Sequence, residues 1–117
     1  MTIDTNTLFS SLSNDIRLRC LVLLQLQGEL CVCELTHALD LSQPMISRHL
    51  ALLRKTGLVN DHRAGQWIYY CINPDLPEWA TTVLETTAQA NQSVSPFSED
   101  LKVLAEMPNR PGSACCA

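Results

Sequence analysis

The stretch ELTHALDLSQPMISRHLALL, residues 34–53, decides the fold of this chain. A helix is expected from about Cys31 to Leu39, and the next three residues form a tight connection. Ser42 is a typical N-cap for a following helix, which Gly57 would end. The core stripe of that helix has a helical period and consists of Ile46, Leu50 and Leu53. Two helices joined by three residues predict a helix-turn-helix.

After Gly57 the hydrophobic period changes from 3.6 to 2 residues, which indicates β-strands. Two strands are expected, Leu58–His62 and Trp67–Ile72, joined by residues 63–66. A β-hairpin directly after a helix-turn-helix is typical of the winged form of that motif. The sequence therefore predicts an α+β fold, mainly α: a winged helix-turn-helix with flanking helices.

The flanking helices are expected at residues 5–12 and 14–27 on one side and at 76–92 on the other. The first and last are too apolar to face water alone, so we expect them to pair across a twofold axis in a homodimer. The paired side chains would be Leu8, Phe9 and Leu12 against Val83, Leu84 and Ala88. In the competing interpretation, both helices only cover the core of their own protomer.

Residues 1–92 are expected to form one winged helix-turn-helix domain for DNA binding and dimerisation. From Ser93 onward the chain is rich in proline and polar residues, so 93–117 is expected to be a flexible C-terminal extension that carries Cys115 and Cys116. Four apolar residues of this extension suggest one further short helix: Phe97, Leu101, Val103 and Leu104.

Charge is distributed unevenly along the chain, whose formal net charge is −4. Residues 42–72 carry four basic side chains and one acidic side chain, whereas both flanking segments are acidic. A basic segment in an acidic protein is a plausible surface for DNA phosphates. Gln43, Ser47 and Arg48 have side chains suited to reading base edges. Phosphate contacts are expected from Arg54, Lys55, His62 and Arg63.

Several classes of protein do not fit the sequence. The first residues lack the basic and apolar pattern of a secretion signal, and no apolar run approaches the roughly 18 residues of a membrane span. The chain is therefore expected to be cytoplasmic and without a membrane partner. No combination of nucleophile, base and orienting group is apparent, so an enzyme is not expected.

Cys31 and Cys33 lie at the start of the helix that supports the predicted recognition helix. Thiolates there would select thiophilic ions, and a helix N-terminus would favour the thiolate form near neutral pH. Side chains two residues apart on a regular helix point about 200° apart. If both cysteines are helical, binding one ion must therefore distort the first turn. The competing interpretation is that both are small buried hydrophobic residues.

Four segments of the chain resemble the ArsR family of metal-responsive repressors, especially its arsenite-responsive members: LSNDIRLRCLVLL, ELCVCEL, LDLSQPMISRHLALLRKTGLV and RAGQWIYYCI. The resemblance covers about residues 8–90. It implies a homodimer that binds double-stranded operator DNA and leaves it when trivalent arsenic or antimony, As(III) or Sb(III), binds cysteine thiolates.

The third ligand is where the chain departs from these relatives. Arsenite-responsive members often carry a third cysteine one turn beyond the pair, where this chain has Thr36. Cys115 or Cys116 could replace it, from the same chain or from its partner. A site with two thiolates completed by water or a small thiol is the alternative. Cys20 and Cys71 are expected to be structural.

Three other functions stay open at this stage. Cadmium- and lead-responsive relatives also use such a cysteine pair, but complete the site with N-terminal cysteines, and residues 1–19 contain none. A repressor that responds to thiol oxidation would use the same pair. A thiol metal carrier or redox protein using Cys115 and Cys116 is a third possibility, although it has no need of a wing.

Overall fold

The computed structural model describes residues 3–110; residues 111–117, with Cys115 and Cys116, lie outside the described residues. The described chain forms, in order, α1 (Thr5–Leu12), α2 (Asp15–Gln27), β1 (Glu29–Cys31), α3 (Val32–Leu39), α4 (Gln43–Thr56), β2 (Val59–Ala64), β3 (Trp67–Ile72), α5 (Glu78–Asn91) and α6 (Phe97–Ala105). The predicted fold class is confirmed: a mainly helical winged helix-turn-helix. No helix within residues 3–110 is long and apolar enough to cross a membrane.

The helix-turn-helix consists of α3 and α4. Asp40 adopts a left-handed conformation at the end of α3, and the Ser42 hydroxyl accepts a hydrogen bond from the Met45 backbone N–H at the start of α4. Gly57 ends α4 with φ of 89°, a conformation that favours glycine. The predicted core stripe of Ile46, Leu50 and Leu53 is completely buried, so the opposite face of α4 is turned outward.

The wing is longer than its sequence pattern indicated. β2 extends to Ala64 and pairs antiparallel with β3. The connection is therefore only two residues, and Gly65 has the positive φ (64°) that such a tight turn favours. A third strand, β1, pairs with the other edge of β3, which gives the sheet order β1-β3-β2. β1 was not predicted because three residues are too short to show a period.

The helix expected to begin at Cys31 begins instead at Val32, because Cys31 is the last residue of β1 and the N-cap of α3. Leu30 of β1 lies opposite Tyr70 of β3, and Cys31 lies opposite Tyr69. Pairing with the wing therefore fixes the backbone immediately before α3, and this determines where the cysteine pair lies.

Helix α2 is the centre of the core. Its Cys20, Leu23 and Leu24 are completely buried, and α1, α4, α5 and α6 all pack against it. An ion pair ties α2 to α6, with the Arg19 guanidinium donating to both Asp100 oxygens at 2.8 and 2.6 Å. The short helix predicted beyond residue 93 is thus present as α6, and Phe97 and Leu104 are its buried apolar residues. The division of the chain at residue 92 stays a prediction.

The expected dimer contacts are partly used within the protomer. Leu8, Leu84 and Ala88 are at most 2% exposed and belong to the protomer's own core, so they cannot also face a partner, and that part of the predicted pairing is wrong. Phe9, by contrast, is 50% exposed. Leu12 and Val83 are half-buried. A reduced apolar surface therefore remains on the flanking helices.

Candidate nucleic-acid interface and thiol site

The three residues predicted to read bases lie on the outward face of α4. Gln43 and Arg48 are exposed and Ser47 is half-buried, whereas Ile46 and Leu50 on the opposite face are buried. Gln43 is the first helical residue and Ser42 caps the helix, so the N-terminal half of α4 presents these side chains together. This is the half that enters the major groove in helix-turn-helix proteins.

The basic residues predicted to contact phosphates have different surroundings. Lys55 and Arg63 are exposed, at the end of α4 and on β2. Arg54 forms an ion pair with Asp61 of β2 (3.0 Å), which joins the recognition helix to the wing. His62 stacks on Tyr69 with ring centroids 5.5 Å apart. The His62 Nδ1 atom also lies 3.4 Å from a Glu29 carboxylate oxygen.

His49 on α4 was not among the predicted DNA-binding residues. Its Nδ1 atom is buried without a hydrogen-bond partner among the described residues. Burial lowers the pKa of the His49 imidazole, and the nearby Arg17 and Arg48 guanidinium groups lower it further. The side chain therefore contributes an uncharged ring beside Arg48, which is consistent with the packing role expected from the sequence.

The two box cysteines already lie together. Cys31 has extended backbone angles (φ −74°, ψ 153°) and only Cys33 is helical. The Cys33 thiol donates to Cys31 Sγ at 2.9 Å, and the Cys33 backbone N–H donates to the same sulfur at 3.4 Å. The expectation that binding must distort the first turn is therefore wrong, because the N-cap residue is not subject to helical geometry. Both thiols are free.

The expectation of a readily formed thiolate also needs correction. Burial raises the pKa of the Cys33 thiol to about 12, and its hydrogen bond to Cys31 and the Glu34 carboxylate act in the same direction. These effects exceed that of the helix N-terminus. Burial also raises the pKa of Cys20 to about 12 and that of Cys71. Cys20 lies in the core and Cys71 in β3, consistent with the expected structural roles.

Glu34 holds the start of α3 in place. Its carboxylate accepts the Cys31 backbone N–H at 2.8 Å, which completes a capping box, and forms an ion pair with Arg110 Nε at 2.7 Å. Only 2% of Glu34 is exposed. Neither partner was predicted. The C-x-x-E spacing of a capping box could have revealed Glu34, but no local signal connects it to a residue 76 positions away.

An open cavity of about 620 Å³ lies beside the thiol pair. Cys31, Cys33 and Thr36 line one side of it, and Gln43 and Ser47 of the recognition helix line another. The wing contributes Trp67, Ile68 and Tyr70, and Met107 follows α6. The cavity therefore brings the thiols, the base-reading face of α4 and the wing to one space.

Within residues 3–110, no group of three or more His, Cys, Asp and Glu side chains is arranged to hold a metal ion. The described part of the site offers two sulfurs, with Thr36 on the cavity wall and His37 exposed beside it. Cys115 and Cys116 lie outside the described residues, so their part in the site stays a prediction. Two thiols can replace two ligands of a thiophilic ion and leave the third position to another group.

Comparison with known proteins identifies the family. A family model described as "Bacterial regulatory protein, arsR family" matches residues 14–61. The arsenic resistance transcriptional regulator ArsR1 of Pseudomonas putida is 51% identical over 110 residues, which cover 93% of this chain and 84% of that protein. The chain belongs to the ArsR family. Another ArsR-family relative, the arsenical resistance operon repressor of Escherichia coli, is 47% identical over 73% of each chain.

Solved structures agree with the ArsR-family fold. HlyU from Vibrio cholerae matches with a TM-score of 0.64 and 34% identity, covering 73% of this chain and 88% of that one. The AntR antimony-specific transcriptional repressor matches with a TM-score of 0.60 and 30% identity, covering 74% and 75%. These matches and the family assignment make the chain a winged helix-turn-helix transcriptional regulator of the ArsR family, and not an enzyme.

Proposed function

We propose that this chain is a homodimeric, cytoplasmic repressor that binds operator DNA and is released when As(III) or Sb(III) binds Cys31 and Cys33. The observation that carries the proposal is the cavity that the thiol pair shares with Gln43 and Ser47 of the recognition helix. Relatives named for arsenic resistance and for antimony-specific repression support the choice of ion.

In this proposal, α4 enters the major groove and the wing lies along the backbone. Gln43, Ser47 and Arg48 contact base edges, since they occupy the outward face of α4. Phosphate contacts come from Lys55, His62 and Arg63, and from Arg54 once it exchanges its partner Asp61 for DNA. Phosphate contacts supply affinity and salt dependence, while the α4 residues supply sequence specificity.

The dimer places two recognition helices on one side of the DNA. Phe9 of α1 and Trp79 of α5 are 50% and 40% exposed, and such large apolar side chains are suited to an interface between protomers. A twofold axis through this surface would present the two α4 helices about one DNA turn apart, roughly 34–36 Å. The operator is accordingly expected to be an inverted repeat.

The inducer requires little rearrangement of the thiol pair, because the two sulfurs are 2.9 Å apart before it binds. Binding replaces the two thiol protons with bonds to one ion, which offsets the raised pKa of Cys33. Sulfurs bonded to a common ion must move apart to sit around it. That movement displaces the start of α3 and, through the cavity, the side chains of α4. The inducer thus favours a conformation that fits DNA less well.

A tail thiol is the proposed third ligand. Arg110 is anchored to Glu34, beside the thiol pair. Five residues separate Arg110 from Cys115, and an extended chain of that length spans at most about 17 Å. Cys115 or Cys116 can therefore reach the pair without any movement of the folded domain.

Release from DNA tests the proposed function directly. The upstream region of the gene for this chain is used as a labelled duplex, and the bound protein is titrated separately with arsenite, antimonite, cadmium and hydrogen peroxide. Release by arsenite or antimonite at low concentration is expected. Release by cadmium alone would favour a cadmium-responsive repressor, and release by peroxide alone a thiol-oxidation sensor. Either result would contradict the proposal.

Removal of residues 111–117 is expected to reduce arsenite sensitivity by about tenfold or more, because one sulfur ligand of three is lost. Operator affinity should be unchanged, since the truncation ends beyond Arg110 and leaves its ion pair with Glu34 intact. The measurement is the arsenite concentration that releases half of the bound protein. A full-length double variant, Cys115→Ser with Cys116→Ser, is the matched control. Wild-type sensitivity in both proteins would show that the third ligand is exogenous.

A further inference from the structure

We propose that the cavity beside the cysteine pair is a binding site for the organic substituent of trivalent organoarsenicals, whose arsenic is held by Cys31 and Cys33 alone. This inference rests on the proposed function, since it uses the same two sulfurs. It differs in the third position on arsenic, which is an arsenic–carbon bond and not a bond to a third sulfur. The ligand class is therefore an organic group R carried on arsenic, written R–As(OH)₂ in water.

The number of described ligands fits this class. Residues 3–110 bring two thiols together and no third ligand group, and Thr36 stands one turn beyond Cys33 on the cavity wall. The Thr36 hydroxyl donates to the Val32 carbonyl at 2.8 Å, so its methyl group is the part available to a ligand. An arsenical that already carries one carbon substituent needs only two sulfurs to complete its coordination.

The chemistry is a condensation without a change in oxidation state. R–As(OH)₂ reacts with the two thiols, two As–S bonds form, and two As–O bonds break. Each hydroxide leaves with one thiol proton, so two molecules of water are released and R–As(Sγ)₂ remains. The arsenic stays trivalent and no oxidant or reductant is consumed. The Sγ–Sγ distance of 2.9 Å allows both sulfurs to meet one arsenic atom.

The walls of the cavity suit an apolar substituent. Its volume of about 620 Å³ lies within the range of about 300–1,000 Å³ found for small-molecule sites. Trp67, Ile68 and Tyr70 form the wing side, and Val32 and Met107 add apolar surface on the others. An aryl ring on arsenic would pack among these side chains and leave water. A methyl group has too little surface to contact all of them.

The site also predicts a consequence for DNA binding. Gln43 and Ser47 line the same cavity, so a bulky substituent would contact the recognition helix directly. Arsenite, bound at the same sulfurs, has no group that extends to this wall. Organoarsenicals with larger substituents are therefore expected to release the protein from DNA at lower concentration.

The test compares phenylarsine oxide with methylarsonous acid on the full chain bound to operator DNA. Both supply one carbon substituent and need two sulfurs, so they differ in the group that would enter the cavity. The ratio of their half-release concentrations is divided by the ratio of their affinities for a small dithiol, which removes differences in arsenic–sulfur chemistry. We expect the phenyl compound to be favoured by about tenfold or more after this correction. A corrected ratio near one would overturn the proposal.

Two cavity-filling variants locate the effect, Thr36→Phe on α3 and Met107→Trp beyond α6. Each should reduce the corrected preference for phenyl to near one, while operator binding without inducer shows that the fold is kept. Ser93→Phe, at an exposed position outside the cavity, is the matched control and should keep the preference. An undiminished preference in both filling variants would overturn the proposed site.

Arsenite is titrated in parallel so that this inference and the proposed function can fail separately. Release by arsenite without a phenyl preference would overturn only the substituent site. A cavity-dependent phenyl preference without release by arsenite would support the substituent site and contradict the proposed inducer. Failure of all three arsenicals to release the protein would overturn both.

Discussion

Cys33→Ser protein is expected to stay on operator DNA at arsenite concentrations that fully release the wild type. The serine oxygen is a poor ligand for a soft ion, so the half-release concentration should rise by about 100-fold or more. Operator affinity without arsenite should change little, because the substitution replaces one atom and Cys33 does not lie on the outward face of α4. Cys31→Ser should behave alike, since either substitution breaks the pair. The measurement is a mobility shift titrated with arsenite.

Cys71→Ser is the matched control for this experiment. Cys71 is also a half-buried free cysteine, but it lies on β3 opposite Glu29 and Asn60 and outside the pair. It should keep the wild-type response. If Cys33→Ser protein were released at the wild-type arsenite concentration, the pair would be structural and the sensor would lie elsewhere in the chain.

Arg48→Ala is expected to remove most of the preference for operator over scrambled DNA. An arginine that reads a base contributes about 1–3 kcal/mol of discrimination, or about 5- to 150-fold for each protomer. The dimer should remain folded, because Arg48 is exposed and does not contribute to the core. Affinities for both duplexes are measured over a range of salt concentrations, and circular dichroism checks the helix content.

Arg63→Ala on β2 serves as the comparison for Arg48→Ala. A phosphate contact should weaken binding to both duplexes alike and make the salt dependence shallower by about one unit or less. Unchanged operator affinity in Arg48→Ala protein would remove this residue from the base-reading set. A loss of specificity confined to Arg63→Ala protein would place base reading in the wing.

The helix-turn-helix could be predicted because local signals specify it. Ser42 and Gly57 mark the two ends of α4, and the stripe of Ile46, Leu50 and Leu53 gives both its period and its buried face. The outward positions of Gln43 and Arg48 follow directly from that stripe. The wing followed from the change of period, although its turn is shorter than the polar residues around Gly65 suggested.

The geometry of the thiol site could not be predicted, because contacts distant in sequence determine it. Pairing of Cys31 with Tyr69 makes Cys31 part of a strand, and only then do the two sulfurs meet. The Glu34–Arg110 ion pair joins residues 76 positions apart, and the Arg19–Asp100 pair joins residues 81 apart. Similarly, amphipathic patterns in α1 and α5 could not show that Leu8 and Leu84 are already used within the protomer.

The cavity shared by the thiols and the recognition helix has a thermodynamic consequence for the proposed repressor. If an inducer at Cys31 and Cys33 weakens operator binding by some factor, the operator must weaken inducer binding by the same factor. Protein free of DNA would then bind the inducer more tightly than protein at the operator. Copies that are free or on non-specific DNA would bind the ion first, so the concentration at which the gene is switched on should rise with the total amount of the protein in the cell.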